Sequence, residues 1–237
     1  MSQRYLGGVI TANPTTPTLT TESGVWTLEQ QFQYSSVWSP KIIGNSVRLR
    51  SSASAYLNRT PASASNRMTW TWSGWVKRGS LSGSVGIFGA FLTNNNTETG
   101  FRFDSNTLQF YSYVSSYLIL ATTSAVFRDP SAWYHIVLAV DTTQATNSNG
   151  VRLWVNGVQQ TLSFSAYTQN HSTYVNNNNQ HYIGRDFSGA YLDAYIAEVN
   201  FVDGQALTPS SFGAFDTNGI WQPLLYTGTY GTNGFYL

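Results

Sequence analysis

The sequence predicts an all-β chain folded as a two-sheet antiparallel sandwich with an extended N-terminal arm. Three observations carry this. Apolar and polar residues alternate at a period of two in segment after segment, so each segment has one face to bury. The segments recur roughly every ten residues with polar breaks between them, the spacing of a sandwich. No stretch shows the apolar stripe of a packed helix. Composition agrees with a single large sandwich: 237 residues, 41% hydrophobic and only 10% charged. A charged fraction near 25% is usual, so Ser, Thr, Asn and Gln must wet this surface.

Residues 1–45 read as an arm. Thr11 to Thr21 is rich in Thr and Pro, and its prolines exclude a central strand. Tyr5, Leu6, Val25, Trp26, Leu28 and Trp38 are isolated apolar anchors in polar sequence. Such a segment is either a flexible tail or an arm that docks on a neighbouring subunit. The large aromatics favour the arm, because disordered tails are depleted of them.

The sandwich is expected over residues 46–207. Val47-Arg-Leu49 alternates. Met68-Thr-Trp70-Thr-Trp72-Ser-Gly74-Trp-Val76 puts Met68, Trp70, Trp72 and Val76 on one face and Thr69, Thr71, Ser73, Trp75 and Lys77 on the other. Short strands follow at Val85 to Phe91, Gly100 to Phe103, Leu108 to Tyr111 and Tyr117 to Leu120. Trp133 to Asp141 is another. Val151 to Val155 then enters an Asn156-Gly157 turn. His181 to Gly184 and Tyr191 to Val202 are the last clear strands. Asn94 to Thr97 and Asn176 to Gln180 are loop tips. One helical turn is expected after Thr208, with Thr208 as cap and Pro209 in the first helical position. Residues 208–237 form an extension packed on the domain or on a neighbouring subunit.

Four phrases, in order, resemble laminin G-like and pentraxin-like jelly rolls. They are Thr71-Trp-Ser-Gly-Trp-Val-Lys77, Trp133-Tyr-His-Ile-Val-Leu-Ala-Val-Asp141, Leu153-Trp-Val-Asn-Gly157, and Tyr191 to Phe201 followed by Gln205-Ala-Leu207. The resemblance implies a concanavalin A-like jelly roll. Animal members often carry a disulfide near the domain end; this chain has no cysteine. Val202 to Pro223 and Thr229 to Leu237 resemble a stretch found in structural proteins of tailed bacteriophages from aquatic bacteria. That resemblance implies a virion protein.

The bulk numbers narrow the partners. A net charge of +1 gives no electrostatic footprint for nucleic acid or an anionic membrane. No segment approaches the roughly 20 apolar residues of a membrane helix. The N-terminus lacks the apolar run of a secretory signal. The expectation is a protein made in a host cytoplasm and carried on a virion, whose partners are other virion proteins, further copies of itself, and host surface glycans.

Jelly rolls also hydrolyse glycosides, which takes two carboxylates about 5–9 Å apart. None of the 11 acidic residues pairs at i, i+2 or i, i+4 on an expected strand. Glu198 stands alone in its strand, and Asp129 and Asp216 fall at strand ends or loops. The chain is therefore expected not to be an enzyme. The expected role is a non-enzymatic accessory protein decorating a capsid or other exposed surface; the alternative is a fibre adhesin that binds host glycan.

His135 lies within a strand and is expected to be structural. His171 and His181 flank the Asn-rich loop without Cys or acidic neighbours to complete a zinc set. No cofactor is expected. The resemblance leaves calcium open, with Asp104, Asp141 and Asp186 as ligands at a loop rim.

Trp75 and Trp154 lie on strand faces opposite the main apolar set. An outward Trp stacks on a sugar or anchors an interface, or else packs under a loop or terminus. Tyr113, Tyr117, Tyr174 and Tyr182 add aromatic character at or near loops. These six are the candidate glycan or interface residues.

Overall fold

Alternation sorts the side chains, and two sheets result. The computed structural model describes residues 45–81, 83–92 and 97–237. The arm anchors Tyr5, Leu6, Val25, Trp26, Leu28 and Trp38 lie outside the described residues, as do Asn94 to Asn96 of the first expected loop tip. The strands are β1 (Val47–Leu49), β2 (Leu57–Arg59), β3 (Thr69–Arg78), β4 (Ser84–Phe91), β5 (Thr97–Asp104), β6 (Thr107–Val114), β7 (Tyr117–Thr123) and β8 (Tyr134–Asp141). They continue as β9 (Val151–Val155), β10 (Val158–Gln159), β11 (Leu162–Tyr167), β12 (His181–Ile183), β13 (Ala194–Asp203), β14 (Gly213–Phe215), β15 (Trp221–Pro223) and β16 (Phe235–Tyr236).

Sheet I runs β1-β13-β3-β8-β9-β10, with β16 sharing the outer edge of β13 with β1. Sheet II runs β11-β7-β6-β5-β4-β12-β2, and every pairing in both sheets is antiparallel. β14 and β15 form a separate small hairpin. A bulge in β13 between Ala197 and Asn200 leaves Glu198 at φ 51°.

The core lies between the sheets. Trp70 and Trp72 are fully buried from sheet I and meet Phe110 and Phe101 of sheet II edge-on, at centroid distances of 5.6 and 5.7 Å. Trp70 Nε1 donates to Thr173 Oγ1 (3.1 Å), so its polar edge is satisfied inside the core. Arg78 is buried, with no acidic partner among the described residues. It donates to the carbonyls of Phe127 (2.6 Å) and Ser105 (2.8 Å), and its guanidinium lies over Phe103.

The turn after Thr208 is present at Pro209–Ser211 but is a 3-10 turn. A further turn, α1 (Asn147–Gly150), stands where a loop was expected, and it closes with backbone bonds from Asn149 and Gly150 to Thr146.

Candidate functional site

The two sheets present two outer faces. On sheet I, Thr71, Ser73 and Trp75 look away from the core, and residues 204–237 return over them. Phe212, with the partly buried Leu207, Tyr226 and Tyr230, packs on Val137, Ala139, Trp154 and Val202. Trp221 stacks on His135 at 5.8 Å, and His135 stacks on Trp75 at 5.0 Å. Trp221 Nε1 donates to His135 Nδ1 (2.9 Å). The neutral ring therefore carries its proton on Nε2, which lies 2.9 Å from Ser73 Oγ and donates to it. Burial pushes His135 down to about 3.

This arrangement corrects two of the candidates. Trp75 is 8% exposed and Trp154 is 7% exposed. Both leave the main core as alternation demands, but the C-terminal extension covers them, so neither presents a ring to a ligand.

The outer face of sheet II is built from cross-strand rows fixed by the register. One row reads Asn58, Tyr182, Gly89, Gly100, Tyr111, Leu120 across six strands. A second reads Phe91, Glu98, Tyr113, Tyr117, and a third Gly86, Arg102, Gln109, Thr122. The glycines are where other groups come down on the sheet. A Cβ on Gly100 would lie 2.5 Å from the Tyr111 ring, and one on Gly86 2.4 Å from the backbone of Arg185. Tyr111 thus lies across Gly100, and the loop of residues 184–193 crosses over Gly86. Arg102 braces the far side, with its guanidinium 4.6 Å from the Tyr111 ring centre and Nε donating to Gln109 Oε1 (2.9 Å).

Beneath this loop sits Glu98. It is 5% exposed, and its Oε2 has no hydrogen-bond partner among the described residues. It borders a hollow of about 10 Å³ together with Phe91, Tyr111, Arg102, Asp186 and Phe187. That is close to the room needed by one water molecule. Burial pushes the Glu98 carboxyl up to about 8; Arg102 opposes the shift and Asp186 adds to it. The sequence reading passed over Glu98. Alternation run backwards from Phe103 through Phe101 assigns Glu98 to the opposite face, which is the available signal.

The four tyrosine candidates separate. Tyr117 is 44% exposed and meets the half-buried Tyr113 edge-on at 5.1 Å, forming an aromatic ridge beside the Glu98 hollow. Tyr182 lies on the same sheet face but is buried, stacked at 4.2 Å on Phe91. The Arg185 guanidinium stands within 6 Å of the ring centres of Tyr56, Phe91, Tyr182 and Tyr191. Tyr174 lies elsewhere, half-buried against Arg67.

The three aspartates named for calcium are not brought together. Asp104 accepts from Ser84, Asp141 from Thr143 and Gln144, and Asp186 from Ser188 and the backbone of Ala190. Asp141 and Asp186 brace their own turns, and Asp104 ties the end of β5 to β4. Among the described residues no three His, Asp or Glu side chains are grouped as metal ligands. His181 accepts at Nε2 from the Asn176 amide (2.9 Å) and donates from Nδ1 to the Asn179 carbonyl (2.8 Å), a structural role. Burial pushes it down to about 4. His171 pairs with Ser112 Oγ (2.8 Å).

Residues 51–211 match the model of the concanavalin A-like lectin/glucanase superfamily. The chain belongs to this superfamily. Domains LG4-5 of the mouse laminin α1 chain share the fold, with a TM-score of 0.51 at 13% identity over 82% of this chain and 49% of that one. Domain 4 of an extracellular arabinanase from Geobacillus stearothermophilus, solved with arabinotriose, gives 0.47 at 20% identity over 63% of this chain and 65% of that one. A Trypanosoma rangeli sialidase gives 0.40 at 16% identity, over 61% of this chain and 22% of that one. The lectin/glucanase-type chain therefore spans about half of the laminin structure, and less than two thirds of the other two. No curated protein matches it.

Proposed function

We propose that this chain is a non-enzymatic recognition module that binds carbohydrate on the outer face of sheet II. The observation that carries the reading is the Tyr113–Tyr117 pair, with Tyr117 44% exposed, in the cross-strand row of Glu98 and near the guanidinium groups of Arg102 and Arg185. An aromatic surface covers the apolar face of a sugar, and neighbouring polar groups take its hydroxyls. Superfamily membership supports sugar chemistry but does not choose between binding and hydrolysis. The burial of Glu98 supports binding. Hydrolysis needs two carboxyl groups open to the scissile bond, and here one is covered while the other, Asp186, holds its own loop. A glycan array with the full chain should give hits that Tyr117→Ala weakens about tenfold, the loss of roughly 1.4 kcal/mol. Turnover of any polysaccharide that disappears in Glu98→Gln would overturn the non-enzymatic reading.

A second reading, that the module decorates a virus particle, is favoured by the C-terminal extension. Phe215, Ile220, Leu224 and Leu225 are all large, apolar and exposed. Such side chains close together suit a partner surface, whether another virion protein or a further copy of this chain. In this reading the module is carried on the virion and the two roles coexist. Leu225→Asp should then lower its copy number on the particle while leaving glycan binding intact; unchanged occupancy would count against it.

A further inference from the structure

Two polar atoms at the Glu98 hollow are left unanswered by the fold. Glu98 Oε2 and Arg185 Nε are both buried, and neither has a hydrogen-bond partner among the described residues. Both side chains border the same recess, together with Arg102 and Asp186. The Glu98 side chain that enters it is 5% exposed. A buried polar atom without a partner is costly, and native folds keep few of them. Two around one recess point to a guest that answers both.

The chemistry of the lining selects that guest. Arg185 Nε–H only donates, whereas the Glu98 carboxyl accepts when ionised and both donates and accepts when protonated. A hydroxyl suits either state, because its oxygen accepts from Arg185 while it also exchanges a hydrogen bond with Glu98. A carboxylate guest would confront Glu98 and Asp186. An ammonium would confront the guanidinium groups of Arg102 and Arg185. A methyl group would leave both atoms unpaired. Size selects as well: the recess, at about 10 Å³, has room for one oxygen and excludes an acetamido group.

Register supplies the reach. Glu98 stands directly opposite Tyr113 in the β5–β6 ladder. A sugar ring over Tyr113 therefore lies one strand spacing, about 4.8 Å, from Glu98. Ring hydroxyls stay close to the ring, whereas an exocyclic hydroxymethyl arm carries its oxygen one carbon further out. We infer that the recess receives the hydroxymethyl oxygen of a hexopyranose whose ring covers Tyr113, held between Arg185 Nε and Glu98 Oε2. The site thereby selects neutral hexoses over pentoses and uronic acids. This inference rests on the carbohydrate-binding reading and adds the class of sugar to it.

The test compares sugars that differ at that arm alone. The full chain is applied to an array of matched pairs, β-D-glucosides with β-D-xylosides and β-D-galactosides with α-L-arabinopyranosides, with the corresponding uronic acids beside them. In at least one set the hexose should bind at least about tenfold more tightly than the pentose and the uronic acid. Glu98→Leu removes the hydrogen-bonding atoms at similar size and should bring the hexose-to-pentose ratio down to about twofold or less. Glu98→Gln keeps a donor and an acceptor and should retain the preference. Arg185→Met carries the same expectation as Glu98→Leu should that variant not fold, as read by its thermal transition. Equal binding within every pair, tightest binding of a uronic acid, or a preference that folded Glu98→Leu or Arg185→Met leaves intact would overturn the inference while carbohydrate binding stands. No sugar binding that Tyr117→Ala weakens would instead remove the carbohydrate reading, and this inference with it.

Discussion

The outer faces of sheets I and II both carry aromatic residues, yet the chain treats them oppositely. On sheet I, Trp75, His135 and Trp154 are roofed by residues 204–237, and the Trp221–His135 hydrogen bond fastens the roof. On sheet II, Tyr113 and Tyr117 keep exposed surface, and a single loop covers only part of the face, over Gly86, Glu98 and Tyr111. The difference teaches that an aromatic residue opposite the core identifies a second surface without saying what occupies it. A terminus that returns converts one such surface into core; a short loop leaves the other partly open.

Truncating the roofed face should have the largest effect. Trp75→Ala should cost about 3–5 kcal/mol, the range expected for Trp72→Ala in the main core. Chemical denaturation checks it, and a loss under about 1 kcal/mol would mean that the roof does not hold. Gly86→Ala acts on the loop over sheet II. The new methyl meets the Arg185 backbone, which cannot swing aside like a side-chain tip, so a cost of about 1–3 kcal/mol is expected. Faster hydrogen exchange in residues 184–193 should accompany it.

Titration separates the buried acid from the buried histidines by sign. The unfolded chain loses the Glu98 proton above about 4.5, whereas the folded chain keeps it to about 8. Stability should therefore fall as pH rises through that window and level off above it. His135 and His181 act the other way: the unfolded chain gains their protons below 6.5, and the folded chain only near 3 and 4. Their contribution is lost as pH falls below 6.5. Between 6.5 and 8 the Glu98 slope should stand clear of theirs, and Glu98→Gln should flatten it; an unchanged slope would refute the buried carboxyl. Smallest of all, Tyr117→Ala should change stability by no more than about 0.5 kcal/mol, as expected of an exposed side chain.

The sandwich was legible because burial and strand geometry share a period. Met68 to Val76 alone assigned Trp70 and Trp72 to one face and Trp75 to the other, as the fold has them. The site was less legible. Period two cannot say that Phe212 and Trp221 return over Trp75 and Trp154, because that contact is set by a distant segment. Nor does it give register, so Gly89 facing Gly100, and Tyr111 lying across Gly100, had no local sign. Asp104, Asp141 and Asp186 read as possible ligands because aspartates that brace a turn or a strand end and aspartates that bind metal occupy the same rim positions. Residues 57–59, 158–159 and 162–167 went unread as strands: two are very short, and in the third a bulge after Phe164 breaks the alternation.

The decisive measurement compares the two faces in one binding assay. The full chain, a Tyr113→Ala/Tyr117→Ala double variant and a Phe215→Ser variant are applied to the same glycan array, with thermal unfolding recorded for each. If the outer face of sheet II is the recognition surface, the double variant loses at least about tenfold in affinity, roughly 1.4 kcal/mol, with its unfolding temperature nearly unchanged, and Phe215→Ser binds as the parent does. Glycan binding that survives the double variant, or that disappears with Phe215→Ser, would move recognition to the C-terminal roof and contradict that assignment.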